Sequence, residues 1–125
     1  MASSDKPSIL LVEDVNMFLS IAQAMLEGHE LNLARTAKEG MEKFTACNPD
    51  IVFLDIALPD GNGMDMLQQM LAANPKAFIV MLTASRLIDD VHKAMEYGAK
   101  SYIMKPFSKE NLQEILDLYH QTKGL

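Results

Sequence analysis

Short continuous apolar runs alternate along this chain with longer stretches in which apolar residues return every third or fourth position. Ile9–Val12 (ILLV) is the first run, and with no polar position inside it, it predicts a strand covered on both faces. From about Asn16 to Glu27 the spacing turns helical, with Phe18, Ile21, Ala22 and Met25 on one side and Gly28 where a helix would end. A second strand at about Glu30–Ala34 leads to Thr36, which with Glu39 three residues later forms a capping box for a helix to about Ala46. The alternation repeats with a strand in Asp50–Asp55, a turn-rich loop (ALPDGNG), and a helix from about Met64 to Ala73 stopped by Asn74-Pro75. A strand at Phe78–Leu82, a helix of roughly Leu87–Tyr97 closed by Gly98, and a strand at Ser101–Met104 follow. Ser108 caps a last helix to about Gln121. Strands and helices in strict alternation predict an α/β fold: a five-stranded parallel sheet with five helices on both faces. Residues 1–7 read as a frayed lead-in, 8–121 as one domain and 122–125 as its C-terminal end.

Composition narrows the function classes. A chain of 125 residues has room for one core, and no run approaches the ~18 apolar residues of a membrane span. The formal charge of −6 speaks against direct nucleic-acid binding, which depends on clustered Lys and Arg. It permits a local acidic site that gathers cations. Cys47 is the single cysteine, with no disulfide partner and no His or Cys at ligand spacing, so a reducing, cytoplasmic setting and a passive role are expected. Met25, Met41, Met70 and Met81 fall on core faces, where soft gap-filling explains them. His29, His92 and His120 have no ligand spacing and read as surface residues.

The candidate chemistry lies at the strand ends. The first strand ends in Glu13-Asp14, the third in Asp55, the fourth in Thr83 and the fifth in Lys105. Open α/β sheets bind ligands beyond the carboxyl ends of their strands, where strand order reverses. In the order 2-1-3-4-5, one of the two common ones, the first and third strands are neighbours there and the three carboxylates share a cleft. Clustered carboxylates repel unless a cation neutralises them, and Mg²⁺ suits a site of carboxylates, waters and a phosphate oxygen. Lys105 adds a mobile positive charge for an anionic group and a partner for Asp55, and Thr83 adds a short hydroxyl donor. These are parts for phosphoryl transfer to an aspartate. Taken singly, each residue has an ordinary reading as a turn, a cap or a helix start. Those readings do not account for all of them at successive strand ends.

The pieces ILLVED at 9–14, DIVFLDIALPDGNGMD at 50–65, VMLTA at 80–84 and YGAKSYIMKPF at 97–107 resemble the receiver family of two-component signalling. The likeness runs from about Ser8 to Tyr119 and implies the flavodoxin-like receiver fold with the 2-1-3-4-5 order. It implies that Asp55 is the phosphoacceptor, that Asp14, Asp55 and the Ala57 carbonyl ligate Mg²⁺, and that Glu13 holds the metal through water. Lys105 would bind the phosphoryl group, Thr83 would move to it, and the ring of Tyr102 would swing inward behind that threonine. Lys105-Pro106 matches a bond that is typically cis in the family, and Ala57 and Ser85 sit at positions that tune dephosphorylation. The resemblance further implies a signalling phosphoacceptor that catalyses only its own phosphorylation and dephosphorylation. Its donor would be a histidine kinase or phosphotransfer protein, and a downstream target would dock on the face of helix 4, strand 5 and helix 5. Homodimers through that face occur in the family. Residues Met17, Phe18, Leu19 and Ile21 exceed one buried stripe, so part of helix 1 is expected to contact the kinase. No output domain follows residue 125, so a stand-alone regulator or a receiver from a longer protein is expected.

Rival readings on the same topology fit less well. A Mg²⁺-dependent aspartyl-phosphate hydrolase wants a second acid two residues after its nucleophile, where this chain has Ala57. A flavin or nucleotide module wants a small-residue phosphate loop after the first strand, where this chain has EDVNMF. A pseudo-receiver that acts only as a binding surface would not need Glu13, Asp14, Asp55, Thr83 and Lys105 together.

Overall fold

A computed structural model describes residues 6–84 and 88–123. Its central sheet is built from β1 (Ile9–Val12), β2 (Leu31–Ala34), β3 (Ile51–Asp55), β4 (Phe78–Thr83) and β5 (Ser101–Met104). All neighbouring pairs are parallel and the order is β2-β1-β3-β4-β5, as the alternation and the resemblance led us to expect. The connections are α1 (Asn16–Met25), α2 (Ala37–Cys47), α3 (Gly63–Ala73), α4 (Ile88–Glu96) and, after β5, α5 (Lys109–Thr122). The expected start of the fourth helix at Leu87, the tuning position Ser85, and residues 1–5 and 124–125 lie outside the described residues.

Because side chains alternate across a strand, the central strands β1, β3 and β4 each feed two cores. Ile9, Leu11, Ile51, Phe53, Val80 and Leu82 pack with Leu19 and Ala22 of α1 and Leu112, Ile115 and Tyr119 of α5. Leu10, Val12, Val52, Leu54, Ile79 and Met81 pack with residues of α2, α3 and α4, including Phe44, Leu67, Met70 and Ala94. Doubly covered strands explain the unbroken apolar runs. Met70 and Met81 are fully buried, and Met25 and Met41 pack at the core edges.

Local signals set the helix ends. Thr36 Oγ1 accepts from the Glu39 amide at 3.0 Å. The Glu39 carboxylate reaches back one residue further than a capping box requires, to the Arg35 amide at 2.8 Å. Ser108 and Asn111 form the reciprocal box at the start of α5. Gly28 and Gly98, beyond α1 and α4, adopt φ of +93° and +110°, where a side chain would be strained. The loop ALPDGNG contains a feature its turn residues conceal, a two-residue antiparallel ladder of Ala57–Leu58 with Gly61–Asn62.

The apolar surplus of helix 1 is part buried and part exposed. Leu19 is buried in the core, Phe18 and Ile21 pack against it, and Met17 stands 58% exposed. Leu19 is therefore a packing residue. Val15 and Met17 are the apolar residues this end of α1 presents outward.

Candidate functional site

The strand register brings Glu13 and Asp55 level and carries Thr83 and Lys105 one and two residues further, to the same end of the sheet. β1 and β3 pair from Ile9 with Ile51 to Val12 with Leu54, so Glu13 and Asp55 each follow the last matched pair. Asp55 is in turn opposite Leu82, one residue before Thr83, and Thr83 is opposite Met104, one residue before Lys105. The Lys105 amide donates to the Thr83 carbonyl at 2.8 Å, which extends the ladder into the site. Lys105-Pro106 is cis, as the resemblance implied.

These residues surround a cavity of about 390 Å³ that Asp14, Asp55, Ala57, Thr83 and Lys105 help to line. Glu13 is fully buried; its Oε2 accepts from the Val15 amide at 2.9 Å and its Oε1 is paired with the Lys105 ammonium. Lys105 also donates to Asp55 Oδ2 at 3.0 Å, and its side chain is 7% exposed. Asp55 Oδ1 accepts, at 3.3 Å, from the Ala57 amide. Thr83 is buried and Asp14 is exposed at the mouth. Burial pushes the Glu13 carboxyl above its usual range, against the pull of Lys105 and the Val15 amide, and the Asp55 charge adds to the rise.

Glu13, Asp14 and Asp55 each offer a carboxylate oxygen within 4.8 Å of the others. Set against the Lys105 ammonium, three ionised carboxylates leave the cluster at −2. A hard divalent cation closes that balance, and oxygen donors suit Mg²⁺. Glu13 is engaged with Lys105 and the Val15 amide, Asp55 with Lys105 and the Ala57 amide, and Asp14 is exposed; the three carboxylates together are consistent with a site for such an ion. Ala57 lines the same cavity. Tyr102 does not: it lies on β5 with 43% of its surface exposed. His29, His92 and His120 contribute nothing to the lining, and Cys47 is exposed at the end of α2.

Four residues shape the site without having announced it in the sequence. Gly63 opens α3, its amide donating to the Ile56 carbonyl at 2.7 Å. A Cβ there would lie 2.2 Å from the Asp55 carbonyl oxygen, so only glycine lets the helix start against the end of β3. Asn62 caps that helix through Met64 at 2.7 Å. Asp60 reaches across to α2, where its carboxylate accepts from the Ala37 and Lys38 amides at 2.6 and 3.1 Å. Those two bonds hold its carboxyl below the usual aspartate range. Phe18 places its ring beneath the Lys105 ammonium, 4.5 Å from the centroid. "DGNG" reads as a turn, and nothing in its composition says which of its residues touch Asp55 or α2.

The family described as "Response regulator receiver domain" matches residues 9–117. The chain is 32% identical over 116 residues to a probable C4-dicarboxylate response regulator of Priestia megaterium, covering 90% of this chain but only 51% of that protein. It is 30% identical over 112 residues to the chemotaxis protein CheY of Listeria monocytogenes, covering 87% of this chain and 94% of that one. Among solved structures it resembles a response regulator receiver domain protein from Clostridium thermocellum, with a TM-score of 0.86 and 30% identity. That match covers 94% of this chain and 96% of the other.

Proposed function

This chain belongs to the response regulator receiver domain family, and from that premise we propose that it is a signalling switch whose phosphoacceptor is Asp55. The observation that carries the reading is the buried Asp55 carboxylate, bonded to the Lys105 ammonium at 3.0 Å and flanked by Asp14 and Thr83 around one cavity.

An Asp55 carboxylate oxygen forms a bond to phosphorus as the phosphorus–nitrogen bond of a phosphohistidine breaks, and the electron pair leaves with the imidazole nitrogen. The donor is a histidine kinase or a phosphotransfer protein. Lys105 turns from the Asp55 oxygen to the incoming phosphoryl oxygens, and its charge offsets theirs. Asp14, Asp55 and the Ala57 carbonyl, with Glu13 through water, would hold Mg²⁺, which supplies further charge neutralisation when bound. Thr83 donates its hydroxyl to a phosphoryl oxygen and draws in the loop that follows β4. Tyr102 starts outside the site and follows the threonine inward. The exposed Met95, Tyr102 and Met104 belong to the α4–β5–α5 face, whose shape the switch alters for a downstream partner. The catalysis assigned to the chain is that of its own phosphorylation and dephosphorylation. A single exposed thiol suits a reducing cytoplasm.

Intact mass after incubation with Mg²⁺ and phosphoramidate tests this. One labile phosphoryl group is expected on the wild type, and none on Asp55→Asn or without Mg²⁺. No gain on the wild type overturns the reading and leaves a receiver-shaped binding module.

A further inference from the structure

Lys105 carries its charge on a stem of four rotatable carbons, yet its side chain is almost fully buried, so something must hold the ammonium in place. Two of its neighbours are carboxylates, Glu13 Oε1 and, at 3.0 Å, Asp55 Oδ2. The third is aromatic: the ammonium lies 4.5 Å from the centre of the Phe18 ring. A cation over a ring face is drawn to its negative quadrupole, most strongly where water is excluded.

Phe18 is itself fixed. Its ring packs 5.8 Å from that of Phe107, a core residue two positions beyond Lys105. One side chain of α1 thus braces both ends of the segment 105–107 and lines the cavity that holds Asp55. We propose that Phe18 is a positioning residue for phosphoryl transfer, holding the Lys105 ammonium where it can pass from the Asp55 oxygen to an incoming phosphoryl group. The inference rests on Asp55 being the phosphoacceptor.

The chemistry of the ring suits the task. Both carboxylates compete with a phosphoryl oxygen for the ammonium. A phenyl ring stabilises the cation without a negative charge or a hydrogen-bond acceptor, so it retains Lys105 in the cavity while leaving its protons for the oxygens. An aliphatic side chain of similar size fills the space and supplies no such attraction.

The test compares Phe18→Leu, which loses the ring, with Phe18→Tyr, which keeps it. In Mg²⁺ and phosphoramidate, phosphorus is transferred to the Asp55 oxygen as the phosphorus–nitrogen bond breaks and ammonia leaves. Phe18→Leu is expected to slow this about fivefold at saturating donor, with the half-saturating Mg²⁺ concentration unchanged, and Phe18→Tyr to restore it. In a Lys105→Met background, Phe18→Leu is expected to have no further effect. Ring-current displacement of the Lys105 ε-methylene proton resonances should be present in the wild type and Phe18→Tyr and lost in Phe18→Leu. If Phe18→Leu does not fold, Phe18→Met replaces it. An unchanged rate with phosphorylation otherwise intact overturns the proposal, and so does an equal slowing in the Lys105→Met background or an unshifted Lys105 methylene. A wild type that takes no phosphoryl group while the methylene shift is present overturns the reading of Asp55 instead, and this role with it.

Discussion

The two ends of β3 carry one aspartate each, and the fold treats them in opposite ways. Asp50, just before the strand, is exposed, and its Oδ2 accepts from the Ser8 amide at 2.9 Å and the Ser8 hydroxyl at 3.2 Å. The Tyr119 phenol leans on the same carboxylate; burial first, then the Asp50 charge and hydrogen bond, push that phenol above its usual range. Every one of these donors is neutral. Asp55, at the other end, is buried beside two further carboxylates with, among the described residues, a single ammonium between them. Asp50 ties the chain together at the amino ends of the strands. Asp55 sits in a cluster whose negative charge exceeds its positive charge among the described residues, and that surplus sets this end of the sheet apart.

The comparison breaks hardest where the backbone itself makes the site. Gly63→Ala drives a methyl group into the Asp55 carbonyl, and a loss of about 3 kcal/mol or more is expected in urea unfolding. Lys105→Met removes the ammonium that pairs with Glu13 and Asp55 and leaves the carboxylates facing one another. About 3 kcal/mol should be lost without divalent cations, and Mg²⁺ should recover much of it. Asp50→Ala, at the quiet end of the strand, should cost about 1–2 kcal/mol in the same assay, and Mg²⁺ should recover none of it.

The smallest effect concerns Asp60, which joins the site loop to α2. Its carboxyl loses its proton more readily in the folded chain than in the unfolded one. The stability it lends is therefore complete above the ordinary aspartate value of 3.8 and is lost as pH falls through the lower folded value. Comparison of wild type with Asp60→Asn over an acid series should show a small wild-type advantage at neutral pH that vanishes in strong acid.

What the sequence made legible follows from periodicity. Strands buried on both faces are unbroken apolar runs, and helices repeat at three or four, so the order of elements could be read directly. The register of parallel strands then brings Glu13, Asp55, Thr83 and Lys105 to one end of the sheet, which is why residues far apart in the chain could be assigned to one place. Contacts of one side chain with a distant backbone could not be read this way. Asp60 looks like any turn residue until α2 presents its amides to it. Leu19 and Met17 are both apolar and two positions apart on one helix, and only packing separates the core residue from the exposed one. The ring of Phe18 fits the apolar stripe of α1, and nothing in that stripe says that the Lys105 ammonium lies over it.

On the reading proposed above, the Asp55 end of the sheet holds negative charge that a divalent cation and a phosphoryl group engage. Thermal unfolding of wild type and Asp55→Asn, each with and without Mg²⁺, tests it most directly. Without Mg²⁺ the substitution should relieve repulsion and raise the midpoint by about 3 °C, and Mg²⁺ should raise the midpoint of the wild type alone. A substitution that lowers the midpoint in Mg²⁺-free buffer, or an equal Mg²⁺ response in both chains, would contradict the account.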